Sequence, residues 1–345
     1  MSLASPPPNP ECSISAARRD FEDSLAGKSP QTARCYATGL DRFFEYLRER
    51  GFDPAAHATT ALPADALDRF YVWLVRRHGR AARATHLTYL AGARAFYRFL
   101  ERRGLTPPGV TMERLRAGLR EVMGRPPGYR TPRIDRRLPE IVTYVDSLPL
   151  PGGGSAAARR RRLTLLRDRA LIRTLYCTAM RRAEVAALNR TDVQDGHADQ
   201  ALITGKGEKE RVVFFDEGTL AAIRTYLEAR QDHYLPLFIR HDTGRGQPGP
   251  QGTRYRLTTQ TIWNVVKRYA RAIGIDASPH DFRHDKASLL LNRGAKLSEV
   301  QDILGHASPE TTKKIYAHYE TAHLREAFDR YSLPPEARVR RPGAR

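Results

Sequence analysis

Cysteine is scarce in this chain. Only Cys12, Cys35 and Cys177 occur in 345 residues, an odd number set far apart, which argues against a disulfide framework and against a zinc site. Long apolar runs are missing as well, and nothing approaches the ~18 consecutive apolar residues that a membrane span needs. Met1 to Pro10 is rich in Pro and Ser but lacks the basic stretch and apolar block of a secretory signal. These absences point to a reducing cytosol. No group of His, Cys, Asp and Glu has metal-ligand spacing, and no glycine-rich loop has a nucleotide-binding pattern. No metal and no nucleotide cofactor is expected. Lysine is the last scarcity: 8 of the 58 basic residues are Lys and 50 are Arg.

What the chain has in excess is positive charge. Lys plus Arg is 58 against 38 for Asp plus Glu, a net charge of +20 with an isoelectric point near 10.3. Genomic bias explains Arg over Lys, but not basic over acidic. Such a surplus on a folded chain implies a polyanionic partner, nucleic acid before a membrane surface, since no basic amphipathic helix with a bulky apolar face stands out.

The hydrophobic pattern divides the chain. Residues 1–14 read as a disordered leader. Ser29-Pro30 opens a helix whose apolar stripe runs through Tyr36, Leu40, Phe43, Phe44 and Leu47, with Ser as cap and Pro at the first helical position. Helices follow at about 63–77, 85–103 and 111–123, so 15–125 reads as a small all-α domain. Arg34, Arg42, Arg48, Arg76, Arg77, Arg80, Arg83 and Arg94 fall on its outer faces, where together they resemble a phosphate-neutralising surface. Residues 126–139 are rich in Pro, Gly and Arg and read as a linker. The second domain, 140–335, is mostly helical. It is interrupted by a low-complexity loop at 152–162 and by three expected short strands at 191–195, 201–204 and 211–215. The basic tail is 336–345. The fold class is mainly α with a small antiparallel β-sheet.

Four segments of the second domain make chemical sense together. In TAMRRAEVAAL, Arg181 and Glu184 stand three apart and share a helix face. In TGKGEKER, Lys206 sits between two glycines at a hairpin tip. A lysine kept there, in a chain that otherwise favours Arg, suits a proton donor, because a guanidinium hardly releases protons. In SPHDFRH, His280 and Arg283 project from a helix start that already favours an anion. In LGHASPETTKKIYAH, His306 follows a glycine turn, and Tyr316 lies on the helix opened by Ser308-Pro309.

With these four boxes in order, the chain resembles the tyrosine recombinase (phage integrase) family over nearly its whole length. The family's signature is an Arg in T-G-L-R-x-x-E-L, a hairpin Lys, H-x-L-R-H, and L-G-H…T-T…Y. The resemblance implies an N-terminal core-binding, SAM-like domain and an α-rich catalytic domain. Three departures stand out. Ala179-Met180 replaces Gly-Leu and Phe282 replaces Leu, both read as changes of packing rather than chemistry, and Tyr316 follows His306 by ten residues where nine is common. That spacing keeps Tyr319 as a second candidate nucleophile.

Arranged around one phosphodiester, the set implies a division of labour. Arg181 and Arg283 would bind the non-bridging oxygens, with His306 as a further donor. Lys206 would protonate the departing 5′ oxygen, and His280 would help remove the phenolic proton of Tyr316, while Glu184 holds the basic groups in place. The product would be a 3′-phosphotyrosine at Tyr316. By the resemblance, a homotetramer on two double-stranded DNA sites would exchange strands through a Holliday junction. Leu324, Phe328 and Leu333 in the tail would dock on a neighbouring subunit. A type IB-like topoisomerase shares the chemistry, but the compact first domain and the boxes favour a site-specific recombinase serving a mobile element or the chromosome. A non-catalytic DNA-binding accessory protein would leave the complete set of six catalytic residues without a purpose. A separate arm-site-binding domain is not expected, given the short stretch ahead of the first helix.

Overall fold

A helix that the pattern did not mark precedes the one opened by Ser29-Pro30. A computed structural model of the protein describes residues 12–124, 137–205, 210–242 and 246–305. Ser13 caps α1 (Ile14–Asp23), accepting from Ala16 N. Ile14, fully buried, donates its N–H to His57 O at 3.0 Å. The end of the expected leader, Ser13 and Ile14, is thus part of the folded unit. Phe21 completes the anchor against Phe96 and Phe99.

Among the described residues, four more α-helices make up this unit: α2 (Pro30–Glu49), α3 (Ala66–His78), α4 (Arg83–Arg102) and α5 (Met112–Met123). The core is aromatic, built on Phe43, Phe44, Phe70, Phe96 and Tyr97. Helices α2 and α4 cross at two glycines. A Cβ on Gly39 would lie 2.5 Å from Tyr89 O, and one on Gly92 2.5 Å from Tyr36 O, so only glycine lets the backbones meet. Part of the arginine surface is neutralised from within. Arg77 pairs with Glu45 and Glu49 and covers the Trp73 ring, and Arg42 pairs with Glu45.

The chain divides after Gly128 into a second unit with its own core. It holds α6 (Leu138–Ser147), α7 (Ala156–Thr178), α8 (Arg182–Ala187), β1 (Gln200–Thr204) and β2 (Glu210–Phe214). Then come α9 (Glu217–Arg230), α10 (Thr259–Ala272), α11 (Pro279–Asn292) and α12 (Leu297–Leu304). The 23-residue α7 runs through the core against α6 and α9.

Two sequence expectations need correction here. Residues 156–162 are not loop: Ser155 caps α7, and the Ala/Arg run after it is made of strong helix formers. Thr191–Gly196 is a 3₁₀ turn, so the sheet among the described residues has two strands, not three. Gln194 and Asp195 adopt positive φ there, Asp192 accepts from Asn189 N, and Asp195 accepts from Arg190. These local bonds outcompete a sheet ladder. In the antiparallel pair, Ile203 faces Arg211 and Thr204 faces Glu210. The linker, apart from its last residues from Arg137, lies outside the described residues.

Candidate active site

Arg181 is placed by a turn at the end of α7. Thr178 Oγ1 accepts from Met180 N, Ala179 takes a left-handed conformation (φ +52°), and Arg181 becomes the N-cap of α8. Glu184, one turn on, accepts from Arg181 N at 2.7 Å and from Arg181 Nη1 at 2.8 Å. The sequence pairing of these two residues is therefore an actual contact. It is not an exposed ion pair, because Glu184 is only 6% exposed.

The reason that a carboxylate can sit there is a second arginine, unmarked by the sequence reading. Arg211 on β2 closes its fork on Glu184 with bonds of 2.9 and 2.8 Å. Burial alone would push the Glu184 carboxyl up; the hydrogen bonds from Arg211 and Arg181 overcome that and hold it below its ordinary value. The available signal was periodic. Arg211 occupies an inward position in a strand that alternates exposed and buried, and an inward charge needs a partner.

Helix α11 supplies the other pair. Ser278 and Asp281 cap its start, with Asp281 accepting from Ser278 N at 2.7 Å, and Pro279 fills the first position. Arg283 is buried, and donates to Ala179 O at 3.0 Å and to Leu304 O. His280 lies at the outer edge of the helix start. Its pKa is pushed down, first by desolvation of its inner edge and then by the Arg283 charge. His284 stacks edge-on against it, ring centroids 4.4 Å apart. Desolvation and the His280 neighbour push its pKa down to about 4.

Arg181, His280 and Arg283 line one cavity of about 510 Å³, with Trp263 on its wall. Trp263, half-buried on α10, is a wall residue that the boxes did not include. Arg181 Nη2 donates to Gly305 O at 2.9 Å, so the turn that leads into position 306 is tied to the same place. Lys206, His306, Tyr316 and Tyr319 lie outside the described residues. Two guanidiniums and a neutral imidazole around one cavity suit an anion whose charge increases during a reaction. Among the described residues, no group of three His, Cys, Asp or Glu is placed to hold a metal ion, and no helix is long and apolar enough to cross a membrane.

The phage integrase family model matches residues 156–323, and the model of the phage integrase N-terminal SAM-like domain matches residues 20–104. Tyrosine recombinase XerA of Pyrococcus furiosus is 30% identical over 309 residues, covering 90% of this chain and 91% of the relative. Tyrosine recombinase XerC of Herpetosiphon aurantiacus is 31% identical over 305 residues, 85% of this chain and 86% of that one. The chain belongs to the tyrosine recombinase family. Solved tyrosine recombinase structures share the fold. A XerH site-specific recombinase bound to a palindromic difH substrate superposes with a TM-score of 0.61 at 20% identity, covering 93% of this chain and 86% of that one. The Tn1549 transposon integrase in complex with transposon right-end DNA gives 0.63 at 13% identity, covering 93% and 100%. Tyrosine recombinases break and rejoin DNA, and the present chain is a DNA-binding, site-specific recombinase of this kind.

Proposed function

We propose that this recombinase cleaves double-stranded DNA by attack of Tyr316 on a phosphodiester, forming a 3′-phosphotyrosine, and reseals the strand with a second DNA end. The observation that supports this most is the convergence of Arg181, Arg283 and His280 on one cavity, with Glu184 ionised behind Arg181. In this reading the two guanidiniums take the non-bridging oxygens as negative charge develops there. His280, its pKa lowered, is neutral near pH 7 and can accept the phenolic proton. Lys206 gives a proton to the departing 5′ oxygen, and His306 donates a further hydrogen bond. Attack forms the phosphorus–oxygen bond to tyrosine and breaks the one to the 5′ oxygen, so the bond energy is retained for rejoining. Three cationic side chains supply the charge stabilisation, and the reaction as proposed needs no metal or nucleotide.

A homotetramer on two sites, exchanging strands in pairs through a Holliday junction, completes the proposal. The chain would work in the cytosol on a mobile element or on the chromosome. The domains would be those read from the sequence with earlier starts, a core-binding domain over 15–125 extended back to Ser13 and a catalytic domain over 140–335 extended back to Leu138, joined by the Arg-rich linker.

The test uses a duplex selected by the wild-type protein from a random pool. Tyr316→Phe is expected to bind this duplex as wild type does and to form no covalent protein–DNA adduct. An adduct that persists in Tyr316→Phe and vanishes in Tyr319→Phe would move the nucleophile to Tyr319.

A further inference from the structure

Three consecutive carbonyls at the end of α12 each accept from a different arginine. Arg211 Nε donates to Ile303 O at 3.3 Å, Arg283 Nη2 to Leu304 O, and Arg181 Nη2 to Gly305 O at 2.9 Å. The last carbonyls of a helix lack partners within it and carry the negative end of its dipole, so cations are favoured there. Two of the three arginines belong to the proposed site. The third has no role in it so far.

Arg211 is 9% exposed and does not line the cavity. Its contacts nevertheless all lead to the cavity. Each Glu184 oxygen is shared: Oε1 accepts from Arg181 Nη1 and Arg211 Nη1, and Oε2 from Arg181 N and Arg211 Nη2. Glu184 can hold Arg181 in one orientation only while it is ionised and itself fixed, and Arg211 provides both conditions. The turn after α12 is fitted around the same side chain, because a Cβ on Gly305 would lie 2.7 Å from Arg211 Cδ. Strand β2, which carries Arg211, pairs with β1, and Lys206 falls between these two strands in the sequence.

We infer that Arg211 is a positioning residue for strand cleavage, acting on Arg181 through Glu184 and on the exit of α12 through Ile303 O. The inference rests on the reading of Arg181 and Glu184 proposed above. A purely structural ion pair is the competing role, and it differs in what it predicts. The charged and titratable groups around Glu184 are Arg181 and Arg211 beside it, with Arg283 and His280 lining or backing the cavity. Removing Arg211 leaves a buried carboxylate with one cationic partner, whose pKa must rise.

The experiment measures single-turnover cleavage of a nicked form of the selected duplex by the full-length protein, at saturating DNA, from about pH 5.5 to 9. Arg211→Lys is expected to keep cooperative unfolding and DNA affinity and to cleave about ten- to a hundredfold more slowly, the scale of a misplaced catalytic group. On a Glu184→Gln background the same change should cost less than about twofold, because the group through which it acts is already disabled. Arg211→Met should steepen the acid limb of the rate profile and displace it upward, because a Glu184 carboxyl raised by the loss of Arg211 must stay ionised in addition to His280 staying neutral. Wild-type cleavage by Arg211→Lys overturns the inference. So does a full multiplicative loss on the Glu184→Gln background, or a lower melting temperature with an unmoved acid limb. Wild-type cleavage by Arg181→Ala would instead bring down the site reading beneath it.

Discussion

Arg283 donates a 3.0 Å hydrogen bond to the carbonyl oxygen of Ala179, so one candidate phosphate-binding arginine is held by the turn from which the other emerges. The family pattern has glycine at position 179, and the structure gives the reason. Ala179 sits at φ +52°, where a side chain costs about 1–2 kcal/mol. The alanine offsets this by burying its methyl among Ala287, Leu291, Val300 and Leu304, a gain of about 0.8 kcal/mol. The change is thus one of backbone conformation, not of packing alone.

Ala179→Gly is accordingly expected to be close to neutral, within about 1 kcal/mol, since relief of the left-handed strain and loss of the buried methyl oppose each other. Ala179→Val keeps the burial but puts a β-branched residue at positive φ, and should destabilise by about 2 kcal/mol or more. Chemical denaturation of the two variants measures both.

Gly305→Ala should do damage twice over. Its φ of +65° strains any side chain, and the new Cβ meets Arg211. A stability loss of about 1–2 kcal/mol from the backbone is expected, together with slower cleavage, because Arg211 and the Gly305 carbonyl both hold Arg181 through their contacts. Cleavage at the wild-type rate at a temperature where the variant is fully folded would separate the turn from the site.

Acid should loosen the second unit through His284. In the unfolded chain this imidazole takes its proton near ~6.5, whereas in the folded chain it resists until about pH 4. Its contribution is therefore fully present above pH ~6.5 and is lost progressively as the pH falls toward 4. His280 shifts in the same direction. Denaturant midpoints measured at several pH values should show a steeper fall below pH ~6.5 for the wild type than for His284→Gln. Parallel curves would remove His284 as the cause.

Lys206→Arg should keep the positive charge and lose most of the cleavage activity, because guanidinium hardly releases protons. A substrate with sulfur at the bridging 5′ position needs no such proton. It should rescue Lys206→Arg but not Arg181→Ala or Arg283→Ala to the same degree. Equal rescue of all three would make the lysine one more positive charge, and full activity on ordinary DNA would make Lys209 the next residue to test.

The sequence by itself determined most of the helices, though not α1 or the first turns of α7, together with the two-unit division and the pairing of Arg181 with Glu184. Each of these depends on short-range rules: a 3.6-residue period, a cap followed by proline, an i, i+3 spacing. It also carried the four boxes, whose order along the chain identifies the family. What only the tertiary structure decided is how the buried charges are satisfied. Nothing local marks Arg211 as the second partner of Glu184, because the two are 27 positions apart and meet only because β2 packs against α7 and α12. The same holds for the carbonyls of 303, 304 and 305, which collect arginines from three different elements. The strand expected at 191–195 failed for the opposite reason. Thr191 and Val193 suit a strand, but Asp192 accepts from Asn189 N and Asp195 from Arg190 Nε, and these bonds close a tight turn before any ladder can form. Period and capping are properties of neighbours in sequence, whereas desolvation of a charge is a property of whatever the fold brings around it.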